Sequence, residues 1–149
     1  MQAAGGRGQK AEGRGQKAEG RKQKARVLNG HRDLKVFQLA FRLAIEIFHE
    51  TAQFPKEERY SLTDQIRRAS RSVAANIAEG FRKRRYRNAF VLKLADADAE
   101  ATEVLVWLEF AKAFGYLSQQ KHKDLASGYE ELGKMLGGML SAPDKFLLR

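Results

Sequence analysis

An all-α fold is what this sequence predicts: an up-down-up-down antiparallel four-helix bundle with a disordered basic N-terminal tail. Three observations lead there. From Asp33 onward apolar residues recur every three to four positions, and nowhere do they alternate as in a half-buried strand. The periodic stretch divides into four segments with short connections, which favours antiparallel neighbours. At 149 residues the chain has room for one such domain and hardly for a second.

The expected organisation is a tail over 1–32, a bundle over 33–140 and a C-terminal extension over 141–149. In the tail, Arg7-Gly8-Gln9-Lys10-Ala11-Glu12-Gly13 is repeated at 14–20 and again, decayed, from Arg21. No position of the repeat carries a large apolar residue, so nothing it buries offsets the entropy of ordering it. Either it is duplicated coding sequence ahead of the domain, or it is an arm that grips phosphates.

The first helix is expected from about Asp33 to Thr51, with Phe37, Ala40, Phe41, Ala44, Ile45 and Phe48 facing inward, and Phe54-Pro55 stopping it. The second begins at Ser61, an N-cap residue followed by Asp64. It carries Leu62, Ile66, Ala69, Val73 and Ile77 on one stripe and ends at Gly80. The third starts between Arg84 and Asn88 and ends at Gly115, about 40 Å of helix. Its core stripe is Phe90, Leu94, Ala97, Ala101, Val104 and Leu108. A second apolar stripe of Leu92, Ala95, Ala99, Val106 and Phe110 lies nearly opposite, with Trp107 on its flank. A helix apolar on two sides is buried on two sides, so Leu92, Ala99, Val106, Trp107 and Phe110 are expected to meet another copy of the chain. Scattered exposure of apolar residues is the alternative. The fourth helix runs from near Ser118 to about Leu140 with Leu125, Tyr129, Leu132, Leu136 and Met139 inward, and it should fray at Gly137-Gly138.

Composition narrows the chemistry. The chain holds 28 Lys and Arg against 18 Asp and Glu, a formal +10, and no Cys. Thiolate metal sites, thiol catalysis and disulfides are thereby excluded. No apolar run reaches membrane-spanning length, so the expected setting is cytoplasmic, without membrane contact. Gly128-x-x-x-x-Gly133-Lys134 imitates a phosphate loop, but Met135 stands where Ser or Thr should hold magnesium and no strand precedes it. These glycines read better as points of close helix approach. Glu46-x-x-His49 has the spacing of a di-metal ligand pair, yet its required second copy is missing. No nucleophile has a histidine near it in sequence or helical phase. The expectation is therefore no enzyme, no cofactor and no metal.

What stands out is charge. Residues 1–26 carry a net +6 and the remainder +4. Arg67, Arg68, Arg71, Arg82, Lys83, Arg84, Arg85 and Arg87 fall within 21 residues that contain one anion, Glu79. By helical phase Arg67, Arg68 and Arg71 project outward from the second helix. Arg82 and Lys83 suit a helix C-terminus, whereas Arg85 and Arg87 sit where the next helix dipole disfavours them. A ridge of this kind suits the phosphates of RNA or DNA, with Phe81 and Tyr86 available to stack on unpaired bases. An acidic protein partner and a merely solvated turn are the other readings. Asn76 lies near the apolar stripe and must be hydrogen-bonded. With Glu79 it is read as a structural polar lock rather than as catalytic.

Three ordered blocks carry a resemblance: Phe54-Pro55-Lys56-Glu57-Glu58-Arg59-Tyr60-Ser61-Leu62, Gln65-Ile66-Arg67-Arg68-Ala69, and Ser72-Val73-Ala74-Ala75-Asn76-Ile77-Ala78-Glu79-Gly80. With Trp107-Leu108 and Phe114-Gly115-Tyr116-Leu117, they resemble the bacterial four-helix-bundle family encoded in intervening sequences of 23S ribosomal RNA genes. The resemblance covers about 33–140 and leaves the tail outside. It implies a left-handed bundle assembling as a homopentamer with a basic surface suited to nucleic acid. Distant relatives are accessory proteins of diversity-generating retroelements, which bind a reverse transcriptase and its RNA. Of the cations, only Arg67 and Arg68 lie inside the matched blocks. The family's usual Gly-Ser pair in helix three is replaced here by the Ala95–Ala99 stretch with two Asp. The function expected is thus that of a non-enzymatic, oligomeric nucleic-acid-binding accessory protein. The alternative is a structural adaptor whose basic face docks an acidic protein such as a polymerase or reverse transcriptase.

Overall fold

Four helices form where the apolar stripes recur: α1 (Lys35–Thr51), α2 (Leu62–Arg82), α3 (Arg87–Ala113) and α4 (Gln119–Ser141). The computed structural model describes residues 28–148, so the repeat tail lies outside the described residues apart from its last few. Single 3-10 turns precede α1 (His31–Asp33), bridge α1 to α2 (Lys56–Glu58) and follow α4 (Pro143–Lys145). Each helix packs on its sequence neighbours, and α4 closes the circle on α1. The arrangement is a four-helix bundle with α1 and α3 on one diagonal, and the described residues contain no strand.

The helix ends show how local chemistry sets these lengths. Ser118 caps α4, its Oγ accepting from the Lys121 amide at 3.1 Å. At α2 the expected Ser61 cap makes no side-chain bond, and Glu58 Oε2 accepts from the Leu62 amide at 3.1 Å instead. α3 stops as its sequence implies. Gly115 takes a φ of +80°, its amide donating to Lys112 O and that of Tyr116 to Ala111 O, which satisfies the last carbonyls. Gly80 does not end α2, which continues to Arg82. It is buried, and a Cβ there would lie 3.2 Å from Lys93 Cβ, so this glycine permits α2 and α3 to approach. Gly128 does the same between α4 and α1, where a Cβ would lie 2.5 Å from Leu43 Cδ2. Gly137 and Gly138 face open space, and helix geometry continues through them rather than fraying.

The predicted core stripes of α2 and α4 and the first of the two predicted on α3 are buried. The expected inward face of α1 is buried only in part, with Ala40 buried and Phe37 and Ala44 half-buried. Val36, Leu39, Ala40, Leu43 and Ile47 are buried, while Phe41, Ile45 and Phe48 remain 53%, 44% and 46% exposed. Both sets repeat with helical spacing, and close packing chooses between them. The near contact of α4 at Gly128 leaves room for the Leu43 methyl groups, whereas an aromatic ring there would hold the backbones apart.

Beyond the helices, Phe54 is buried in the α1–α2 connection with its ring against Tyr116, whose hydroxyl donates to Glu58 Oε1 at 3.1 Å. The segment after α4 is packed on the bundle rather than extended from it. Pro143 is buried and the Phe146 ring lies 6.4 Å from Phe90. Leu28 likewise packs on the core, so ordered structure begins upstream of Asp33.

Candidate nucleic-acid interface

Turning the α2 stripe inward places Arg68 and Arg71 on the outer surface, both exposed. Arg67 is held differently from the other two. Its Nε donates to Thr51 Oγ1 at 2.7 Å, one terminal nitrogen donates to Phe48 O at 3.2 Å, and the guanidinium lies 4.7 Å from the Phe48 ring centre. The Thr51 hydroxyl in turn donates to Ile47 O. Arg67 therefore ties the end of α1 to α2, which corrects its expected place as a purely solvent-facing cation.

Around this strut the surface is concave. Arg59, Arg67, Arg68 and Arg71 line a groove of about 400 Å3 at the start of α2, together with Thr63 and Asp64, and Tyr60 lies beside it at 85% exposure. Arg59 and Tyr60 escaped the sequence reading because they precede the apolar stripe that fixes helical phase. A second groove, about 370 Å3 and mostly apolar, opens between α1 and α2 among Phe41, Ala44, Ile45, Phe48 and Ala74. Arg71 is a wall of both.

The other end of α2 carries the remaining cluster. Arg82, Lys83 and Arg85 are exposed and have no ion-pair partner among the described residues. Arg84 and Arg87 do have partners. Arg84 Nε donates to Phe81 O and Nη1 to Phe146 O, its guanidinium sits 3.7 Å from the Phe81 ring centre, and its carbonyl accepts from the Leu148 amide. Burial lowers its pKa from the ordinary value, though guanidinium chemistry keeps it charged. Arg87 meets Asp144 at 2.9 Å, so the charge that seemed uncompensated at the start of α3 is answered from the C-terminal segment. Phe81 is 5% exposed and fills the bundle end, while Tyr86 is 67% exposed and open to stacking.

Between the two cationic ends the polar residues serve structure. Asn76 Nδ2 donates to Ser72 O at 2.9 Å and Ser72 Oγ at 3.1 Å, so its bonds stay within α2 and lock no other helix to it. Glu79 makes the crossing contact, 2.7 Å to Lys93 Nζ on α3. Lys93 holds the Glu79 carboxyl below its ordinary pKa and is itself raised in return. Glu100 moves the other way, raised by burial and by neighbouring Glu103, with Arg68 opposing. In the core, the Tyr129 hydroxyl is buried without a hydrogen-bond partner, and Ser70 beside it donates to Arg67 O instead. Burial pushes the Tyr129 phenol well above its ordinary pKa.

The second stripe of α3 remains on the surface. Leu92, Val106 and Phe110 are 60%, 41% and 45% exposed and Ala99 is exposed too. Trp107 is half-buried, its Nε1 donating to Glu103 and its ring against Phe110. No cluster of three or more His, Cys, Asp or Glu suited to a metal occurs among the described residues. Nor is any described helix long and apolar enough to cross a membrane.

A crystal structure from Bacteroides thetaiotaomicron, described as a protein of unknown function from the S23 ribosomal protein family, shares this fold. The TM-score is 0.66 at 24% identity, covering 72% of this chain and 99% of that one. No curated protein matches the chain. The family description that does match, over residues 32–138, covers the bundle up to the last turn of α4, cationic ridge included, and the chain belongs to the 23S rRNA-intervening sequence protein family.

Proposed function

We propose that the protein is a non-enzymatic, self-assembling nucleic-acid-binding accessory protein that holds RNA or DNA phosphates along the outer ridge of α2. One observation carries the reading. Arg59, Arg68 and Arg71 at one end and Arg82, Lys83 and Arg85 at the other have no ion-pair partner among the described residues. Arg71 and Arg82 are eleven residues apart, about 16 Å of helix axis, and share one helical face with small Ala75 and Ala78 between them. A flat strip with cations at both ends fits a polyanion, and each engaged phosphate releases counterions. The family name, which refers to 23S rRNA, makes RNA the first probe.

Self-assembly rests on two exposed apolar faces, the aromatic face of α1 and the second stripe of α3. These helices are diagonal neighbours, so the faces point in different directions. Pairing one with the other is head-to-tail, which closes into a ring or continues as a filament. A ring is the form in which the family resemblance implies five copies.

The test is binding of the full chain to single-stranded RNA and duplex DNA across a salt series. Charge reversal at Arg68, Arg71 and Arg85 is expected to flatten the slope of log affinity against log salt by about 0.7 to 0.9 per contact removed. Unchanged slopes refute the ridge as a phosphate site. A second reading, docking of an acidic protein, is favoured by Arg71 walling an apolar groove as well as the cationic one. Under that reading excess unrelated RNA leaves the protein partner in place.

A further inference from the structure

Resting on the phosphate-binding reading of α2, we infer that the cationic groove at its start is a pocket for a nucleoside monophosphate group, a base carrying a terminal phosphomonoester. At about 400 Å3 it falls at the small end of the roughly 300 to 1,000 Å3 typical of ligand sites. Four arginines line it against one carboxylate, Asp64, which lies within ion-pair distance of none of them. That excess suits a monoester, which carries about −1.5 to −2 at neutral pH, better than a backbone diester with one charge.

The pocket is also prepared before anything binds. Arg67 is fixed by its bonds to Thr51 and Phe48, yet a guanidinium has five N–H donors and these bonds use two. Thr63 is 7% exposed and its hydroxyl has no hydrogen-bond partner, whereas buried polar atoms in native folds almost always have one. That hydroxyl oxygen is closed off from solvent, so a phosphate in the groove reaches it only after the Thr63 side chain turns outward. Thr63 and Asp64 also stand in the first turn of a 21-residue helix, where amides lack intrahelical partners and favour an anion. Beside the groove, Tyr60 is exposed, with the Arg59 guanidinium 5.4 Å from its ring centre. The ring offers its open face as a stacking surface for the base.

Two sources carry this chemistry, the 5′-phosphorylated end of a single strand and a free nucleotide. The full chain is titrated with a single-stranded RNA bearing a 5′-phosphate, the same RNA with a 5′-hydroxyl, and AMP. The phosphorylated strand should bind about tenfold tighter or better, the worth of one added charge-assisted contact. Arg68→Ala with Arg71→Ala, both exposed and outside the Arg67 strut, should abolish this preference and AMP binding together. Arg82→Glu with Arg85→Glu should weaken both strands alike and leave AMP binding unchanged. Tyr60→Ala should weaken AMP more than inorganic phosphate. AMP binding without end preference supports the pocket with a free nucleotide as its source. Equal affinity for both strands with no AMP binding overturns the pocket while leaving the ridge standing. Failure of both strands to bind, with AMP binding retained and sensitive to Arg68 and Arg71, keeps the pocket and refutes the ridge.

Discussion

Replacing Gly128 by alanine tests the packing of α1 on α4 directly. In an exposed helix position the change stabilises by about 0.8 to 1 kcal/mol, because glycine loses more backbone freedom on folding. At Gly128 the new methyl group would stand 2.5 Å from Leu43 Cδ2 and 3.3 Å from Cδ1. Leu43 is only 2% exposed, so it cannot swing into solvent, and overpacking of a filled core costs about 1 to 3 kcal/mol. The expected net effect is a loss of about 1 kcal/mol. Gly137 is the internal control, since a Cβ there meets nothing within 4 Å and the helix backbone already suits alanine. Gly137→Ala should gain about 1 kcal/mol. At roughly 4 °C per kcal/mol for a domain of this size, the two variants should melt about 8 °C apart. Thermal unfolding followed by far-UV circular dichroism at fixed protein concentration reads the difference, concentration being held because assembly would shift the midpoint. In the Gly128→Ala background, Leu43→Ala should cost about 1 kcal/mol less than it does alone. A Gly128→Ala protein at least as stable as Gly137→Ala would show that Leu43 does not pack there and refute the reasoning.

Three further outcomes are expected. Tyr129→Phe removes a buried hydroxyl without a partner and should stabilise by about 1 kcal/mol in the same melting assay. The pH dependence of melting should separate two carboxylates. Glu79, lowered by Lys93, adds stability above its ordinary pKa that is lost as pH falls through the lowered value, so Glu79→Gln destabilises at neutral pH and becomes neutral in acid. Glu100, raised by burial, is penalised once pH rises through its raised value, so Glu100→Gln stabilises at neutral pH and the gain vanishes below about pH 4. For assembly, Phe110→Asp and Ile45→Asp should each yield monomers by light scattering. Their mixture should form dimers through the one intact pair of faces, and monomers in the mixture would rule out head-to-tail pairing.

The stripes of α2, α3 and α4 were legible because each carries one set of residues able to fill a core, and Ile66, Leu108 and Leu132 sit where phase alone puts them. α3 also carries a second stripe, but its small Ala95 and Ala99 leave the larger Phe90–Leu108 set to fill the interior. α1 offers two full-sized stripes, and periodicity does not rank them. The choice was made by Gly128, some 85 residues away in the chain. The cations divide in the same way. Arg68, Arg71, Arg82, Lys83 and Arg85 are exposed, as local phase and turn position imply. The partners of Arg84 and Arg87, Phe146 O and Asp144, lie about 60 residues downstream where no local pattern links them. Arg59 and Tyr60 belong to an irregular connection whose path is set by Phe54 burying itself against Tyr116.

Loop length, more than residue identity, governs access to the Arg59–Arg71 shelf. The last turn of α1 meets α2 at Arg67, five residues and about 7.5 Å after α2 begins, so the first turns of α2 project past the end of α1. Inserting four uncharged residues after Thr51 in helical register would extend α1 by about 6 Å and carry its backbone alongside Thr63 and Asp64. Such an insertion would alter no cation and leave the net charge at +10, yet it would roof the shelf. Within this fold, then, an insertion or deletion in the α1–α2 connection is the change that opens or closes the basic surface, and homologous chains are best sorted by the length of that connection before their arginines are compared.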